Sequence, residues 1–285
     1  MSLTELWKDL WQRQRLLMSA GFAFFVLLLV LAALSLFDSQ QILGINRWIK
    51  PMKFSSSIAI YFATLAVYLN FLSGFERAKK VIAWGVVALM TGEIALIIMQ
   101  ASRGTTSHFN NSTAFDGAVF SAMGLMIVVN TFLLIYLTIL YFRGEVNLPK
   151  AIVWGMRFGL IIFLLASFEG GYMSAQIGHA VGVADGGAGL SFVNWSTEGG
   201  DLRAAHFVGM HAFQAIPLFS FMLVRLQKRF KPVRPTAITI IFSLLYFATF
   251  YLVFVRALQG KPLLGNEIVV IQKKIIFDFY SEKKL

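Results

Sequence analysis

The chain has no cysteine. That excludes disulfides, thiolate zinc sites, thiolate-held iron–sulfur clusters and covalent CxxCH haem attachment. Charge is scarce too: 14% of residues are charged, whereas a soluble domain carries about 25%. Several chemical signatures are missing as well. There is no GxGxxG after a strand and no phosphate-loop spacing, and no nucleophile elbow for Ser-His-Asp chemistry. The last apolar run, 236–257, contains no Lys for a retinal Schiff base. It also lacks the HxxxH of seven-helix zinc hydrolases; the near-match, His206 to His211, is one residue too long and lies in the run before.

Apolar residues are abundant. They make up 58% of the 285 residues, with 28 Phe and 11 Met. They fall in blocks of about 20, the length that spans a hydrocarbon core of about 30 Å. The blocks predict helices over 16–37, 57–75, 81–100, 113–142, 150–177, 203–225 and 236–257. The expectation is an all-α polytopic bundle of about seven transmembrane helices, forming one membrane domain over 1–260 with a C-terminal tail over 261–285. The first run follows Lys8, Arg13 and Arg15 as a signal peptide would, but it is longer than a signal core of about 7–15 residues and reads as a retained helix. The segments 76–80, 143–150 and 228–235 read as connectors, and 267–280 as an interfacial strand or a disordered stretch.

A net charge of +11 would suggest nucleic acid in a soluble protein. Here Lys and Arg gather at helix ends, where they meet lipid headgroups. The bilayer is the expected partner, and nucleic acid is not. The basic residues also set an orientation. Lys8, Arg13, Arg15, Arg77, Lys79, Lys80, Arg143, Lys150, Arg225, Lys228, Arg229, Lys231 and Arg234 fall on one side; Arg47, Lys50, Lys53, Arg103 and Arg203 fall on the other. This predicts the N-terminus inside and the C-terminus outside, although Lys261, Lys273, Lys274, Lys283 and Lys284 of the tail argue the other way.

Two outer segments are more than connectors. The stretch 38–55, with Asn46-Arg47-Trp48-Ile49-Lys50-Pro51, suits a piece lying in the headgroup layer. The stretch 178–201 is long and glycine-rich, with Gly186-Gly187 and Gly199-Gly200.

All four His lie toward the outer face. Glu93, Glu169 and His211 fall at a common depth of about 10–12 Å below it. A bare carboxylate in hydrocarbon costs about 2.5–3.5 kcal/mol on the most lenient scale, so these groups turn toward one another, water, a proton or a metal. Gln100, Arg103, Asp116, Gln176, His179, Asp201, Arg203 and His206 form a shallower polar layer above them. Plain structural roles are expected for several others. Asp116 has capping-box spacing from Thr113, Asp201 is placed to cap the sixth apolar helix, and His108 reads as a loop residue. Gln214 is the same-face partner of His211, Arg256 snorkels, and Asn70 and Asn130 bond between helices. Arg157, alone about 10 Å from the inner face, needs a partner. An echo is also visible. Trp84-Gly85, Glu93, Gln100 and His108-Phe109 recur as Trp154-Gly155, Glu169, Gln176 and His206-Phe207, but the spacings disagree by several residues and the echo reads as coincidence.

The strings Gly44-Ile45-Asn46-Arg47-Trp48-Ile49-Lys50-Pro51-Met52-Lys53-Phe54 and Gly199-Gly200-Asp201-Leu202-Arg203-Ala204-Ala205-His206-Phe207 resemble stretches of an uncharacterised family of bacterial multi-pass membrane proteins. The resemblance runs over most of the chain. It implies a fold and a bacterial inner-membrane location, and no activity.

Four functions follow from the residues. The first is an outward-facing metal or haem site with Glu93, Glu169, His211 and His206 as ligands, since imidazole with carboxylate suits transition metals and haem takes axial His. The others are a proton-coupled transporter using the two carboxyls, a membrane-embedded enzyme acting on a lipid or periplasmic substrate, and a structural protein. A small-molecule ligand or ion is the expected occupant of the pocket. A transporter needs a polar path to the inner face, and the sequence offers little beyond Asn70, Asn130 and Arg157.

Overall fold

The computed structural model describes residues 2–186, 189–190, 193–229 and 234–265. The strand or disorder expected over 267–280 lies outside these, as does the middle of the basic break over 228–235. Among the described residues eight helices form: α1 (Leu3–Arg13), α2 (Arg15–Phe37), α3 (Ile49–Phe71), α4 (Glu76–Ser102), α5 (Ala114–Arg143), α6 (Lys150–Ala175), α7 (Leu202–Gln227) and α8 (Pro235–Leu258). The seven from α2 to α8 are long and apolar enough to cross a membrane. The chain is an all-α, multi-pass membrane bundle. Two minimal antiparallel hairpins, β1 (Gln41–Ile42) with β2 (Ile45–Asn46) and β3 (Ala180–Val181) with β4 (Gly200–Asp201), sit at one end. That end is called the loop end; α1 lies at the other.

Helix α1 was not expected. It is amphipathic rather than apolar, so hydropathy does not reveal it. A capping box starts it, with Ser2 and Glu5 bonding reciprocally. Asp9 then ties it down, bridging to Arg13 at 2.7 Å and accepting from Asn70 of α3 at 2.7 Å. Asn70 thus bonds between helices as expected, and so does Asn130, which accepts from Tyr61 at 3.1 Å.

Two expected helix starts are corrected. The charged segment 76–80 is the first turn of α4, not a turn; the chain reverses just before it, at Gly74 (φ 68°) and Phe75 (φ 59°). Likewise α3 begins at Ile49 rather than 57. Lys50, Pro51 and Lys53 look like loop, but proline is tolerated in a first helical turn, where its missing N–H has no partner to lose. Trp48 packs inward. It is 7% exposed, packs with Leu31 and Ala101, and donates its ring N–H to Asp38 at 2.9 Å.

The interior is built around α3 and the α6–α7 pair. Without a hydrophobic drive in lipid, close packing of small residues holds helices together. A Cβ at Gly155 would lie 2.3 Å from the Ser220 hydroxyl, one at Gly159 2.8 Å from the Ala212 carbonyl, and one at Gly209 2.5 Å from the Ala166 Cβ. Pro217 within α7 has no N–H to give to the Phe213 carbonyl four residues back. Tyr68 of α3 replaces it, donating its hydroxyl to that oxygen at 3.0 Å while its ring stacks on Phe213 at 4.2 Å. Helices α2 and α8 are peripheral, with Phe22, Phe25, Leu36, Leu245 and Leu252 exposed where lipid would lie.

Candidate functional site

Two carboxyls are buried near the loop end, Glu93 on α4 and Glu169 on α6, at 1% and 5% exposure. From Glu93 to the end of α4 the helix rises about 13 Å, and from Glu169 to the end of α6 about 9 Å. Each meets an imidazole from later in the chain. His206 Nδ1, on the second turn of α7, lies 3.0 Å from Glu169 Oε2 and 3.0 Å from the Ala166 carbonyl. A carbonyl only accepts, so Nδ1 carries the hydrogen. Gly170 makes room for this ring, since a Cβ there would lie 2.8 Å from His206 Cε1. His108 Nε2, from the loop between α4 and α5, lies 3.7 Å from Glu93 Oε1. That is beyond direct hydrogen bonding. Among the described residues both oxygens of Glu93, and Oε1 of Glu169, are buried without a partner.

The pairs share an electrostatic environment. Burial holds the His108 imidazole well below the usual histidine range, and Lys50 and His206 push it the same way. Phe54, Phe109 and Phe120 surround its ring, the nearest centroid 5.4 Å away. His179, in the long loop, is also lowered, first by burial and then by Arg203, with Asp201 and Asp185 opposing. Lys50, the second residue of α3, acts on Glu93, His108 and His179 but closes no salt bridge with any described carboxylate.

Carboxylate hubs organise the polar residues at the loop end. Asp116 receives Gln100 at 2.8 Å, Arg103 at 2.6 Å and the Thr113 hydroxyl at 2.6 Å, while Thr113 caps α5. Gln100 therefore serves Asp116 rather than Glu93. Asp201 caps α7 through the Arg203 N–H at 3.0 Å, accepts the Ser196 N–H at 2.8 Å and pairs with the Arg203 guanidinium at 2.6 Å. Asp38 gathers the first hairpin. The Gln40 N–H, then Arg47 and Trp48, hold its carboxyl below the usual range. Gly200 is required where β4 crosses the end of α8, since a Cβ would fall 1.9 Å from the Ala257 carbonyl.

The floor is aromatic. Tyr61 stacks on Phe163 at 5.9 Å, Phe163 meets Phe213 at 5.2 Å, and Phe213 meets Tyr68. These rings lie further from the loop end than the carboxyl layer, with the Tyr61–Asn130 and Gln214–Thr64 hydrogen bonds beside them.

Of the four expected ligands, the structure joins Glu169 to His206, gives Glu93 a different imidazole, and turns His211 elsewhere. His211 Nδ1 bonds the Phe207 carbonyl at 2.7 Å and its ring stacks on Phe207 at 4.0 Å. Five residues separate it from His206, about 140° around the helix. Gln214 is not its partner and reaches Thr64 at 3.3 Å instead. Among the described residues no three His, Asp or Glu side chains form a group that could hold a metal ion. Gln176 stays outside the site, bonding the Gly178 carbonyl, and Arg256 snorkels to the Pro262 carbonyl at 2.8 Å. His108 and Lys50 are site residues that the sequence does not mark as such. The echo was the signal that could have found His108, because each Glu pairs with the His of the His-Phe that follows it.

No family model matches the chain, and no curated protein and no solved structure is similar to it.

Proposed function

We propose that this multi-pass membrane protein is proton-coupled, with Glu93 beside His108 and Glu169 beside His206 as its protonatable groups, loaded from the loop end. The observation that carries this is Glu93: 1% exposed, neither oxygen bonded, 3.7 Å from a neutral imidazole. A bare carboxylate at this depth costs about 2.5–3.5 kcal/mol on insertion scales. Lys50 offsets part of that from a distance; a proton removes it. A gap of 3.7 Å closes to a direct hydrogen bond with a small movement of the loop that carries His108, and His108, held neutral by burial, can accept from the carboxylic acid. The aromatic floor supports access from one face only. The Lys and Arg distribution supports placing that face outside.

The test is infrared difference spectroscopy of the detergent-purified protein across a pH titration. A carboxylic C=O band that titrates in the native protein and is missing in Glu93→Gln is the expected result. A native spectrum with no such band overturns the reading.

The unbonded carboxyl oxygens favour a second reading, a metal ion, because Glu and His suit iron, manganese or zinc. Elemental analysis with a visible spectrum decides it. Near-stoichiometric metal, or a Soret band, that disappears in Glu93→Gln would transfer the function to the metal. Metal-free, colourless, folded protein leaves the proton reading in place.

A further inference from the structure

Arg157 is a charge inside a span. It lies about 10 Å along α6 from Lys150. Its Nε donates to the Tyr141 carbonyl at 3.0 Å, one of the last α5 carbonyls that have no partner within their own helix. Its guanidinium lies over Phe142 at 4.9 Å and over Trp154 at 5.1 Å. Among the described residues no carboxylate pairs with it. An intramembrane cation that finds only a carbonyl and two ring faces is a site in search of an anion.

The structure provides the space. A cavity of about 530 Å³ opens at the α1 end between the 144–148 connector and the first turns of α6. Lys150, Val153, Trp154 and Arg157 line it, at the i, i+3, i+4 and i+7 spacing of one helical face. Glu145 is the single acidic residue in the lining, so the two cations prevail. The start of α6 opens here with no side-chain cap, its positive dipole end uncovered. Phe142 is 46% exposed beside the cavity, an apolar surface for acyl chains.

We propose that this cleft holds the phosphodiester of an anionic membrane lipid, with the phosphate between Lys150 and Arg157 and the chains against α5. A lipid fits better than a soluble anion because Arg157 lies within the apolar span, where a phosphate arrives most readily already attached to chains. The proposal is independent of the Glu/His chamber. A second basic cleft at the same end, of about 150 Å³, is lined by Arg13, Arg15, Lys79 and Lys80. There Asp9 and Glu76 already pair with Arg13 and Lys79, so it serves as the control for general surface attraction.

Native mass spectrometry of the full chain in detergent tests this, with phosphatidylglycerol, phosphatidylcholine of the same chains, and inorganic phosphate as probes. The native protein is expected to retain phosphatidylglycerol roughly tenfold over phosphatidylcholine, the scale set by two cations on an anionic headgroup. Arg157→Gln should abolish that preference, Lys150→Gln should cut it roughly threefold, and Lys80→Gln should leave it unchanged. If Arg157→Gln does not fold, Lys150→Gln at the exposed helix start decides. Equal retention of the two lipids overturns the proposal, as does a preference that Lys150→Gln leaves undiminished or one that Lys80→Gln removes. Displacement of the lipid by millimolar inorganic phosphate would overturn it in favour of a soluble-anion site.

Discussion

Glu169 and His206 sit on helices that touch along most of their length, whereas Glu93 lies on a helix and takes its imidazole from a loop. In the first pair the ring is locked. It bonds a carboxyl and a backbone carbonyl at 3.0 Å, in a notch that Gly170 leaves open. In the second the ring stands 3.7 Å off and the carboxyl has no bond. The same two residue types therefore act as a clasp between helices in one place and as an unfilled acceptor in the other. What differs is the support. A partner on a packed helix has its distance fixed by helix packing; a partner on a loop keeps freedom to approach or retreat.

The comparison can be broken most forcefully at the packing that sets the first pair. Gly209→Leu would drive a side chain into Ala166 and Phe250, both within 2.9 Å of an added Cβ. It should cost about 3 kcal/mol, seen as a lower thermal midpoint in detergent; an unchanged midpoint would mean that α6 and α7 are not packed this closely. Next comes His206→Ala, which strands Glu169 and should cost about 2 kcal/mol. His108→Ala removes no direct bond and should cost under about 1 kcal/mol. Equal costs for the two would erase the distinction between clasp and acceptor. Glu93→Met replaces an unbonded carboxyl with an apolar chain of similar length. It should leave stability within about 0.5 kcal/mol or raise it, and a large loss would show that Glu93 holds the fold.

The last effect is in pH. His108 and His179 are held below the ordinary histidine value of 6.5 in the folded protein. Between that value and their folded ones the unfolded chain binds more protons, so stability rises with pH there. The contribution is whole above pH 6.5 and is lost as pH falls through the folded values. Thermal midpoints measured downward from neutral pH should fall, and less steeply in His108→Ala.

Much of this was legible in the sequence. Seven apolar runs gave seven helices because length and hydropathy alone decide what can span a bilayer. Helix α1 and the first turns of α3 escaped for the same reason: Ser2, Glu5, Asp9 and Arg13, like Lys50, Pro51 and Lys53, are polar residues in helical positions. The depth of Glu93 and Glu169 was readable from their distance to a helix end. Their partners were not, since pairing depends on how each helix is rotated, and His211 shared the depth but not the face. The plain roles of Asp116, Asp201 and Arg256 were readable because caps and snorkelling are local. Pro217 was visible, but nothing local reveals that a tyrosine from α3 answers its missing donor.

The aromatic floor has an electrical corollary. A membrane potential falls where water does not reach, and moving one charge across all of it is worth about 2.3 kcal/mol per 100 mV. On the proposed proton reading, with Tyr61, Phe163 and Phe213 packed together below the carboxyls, a proton arriving at Glu93 from the loop end would stop above much of that drop. Its occupancy would then follow the acidity of one compartment and respond only weakly to voltage.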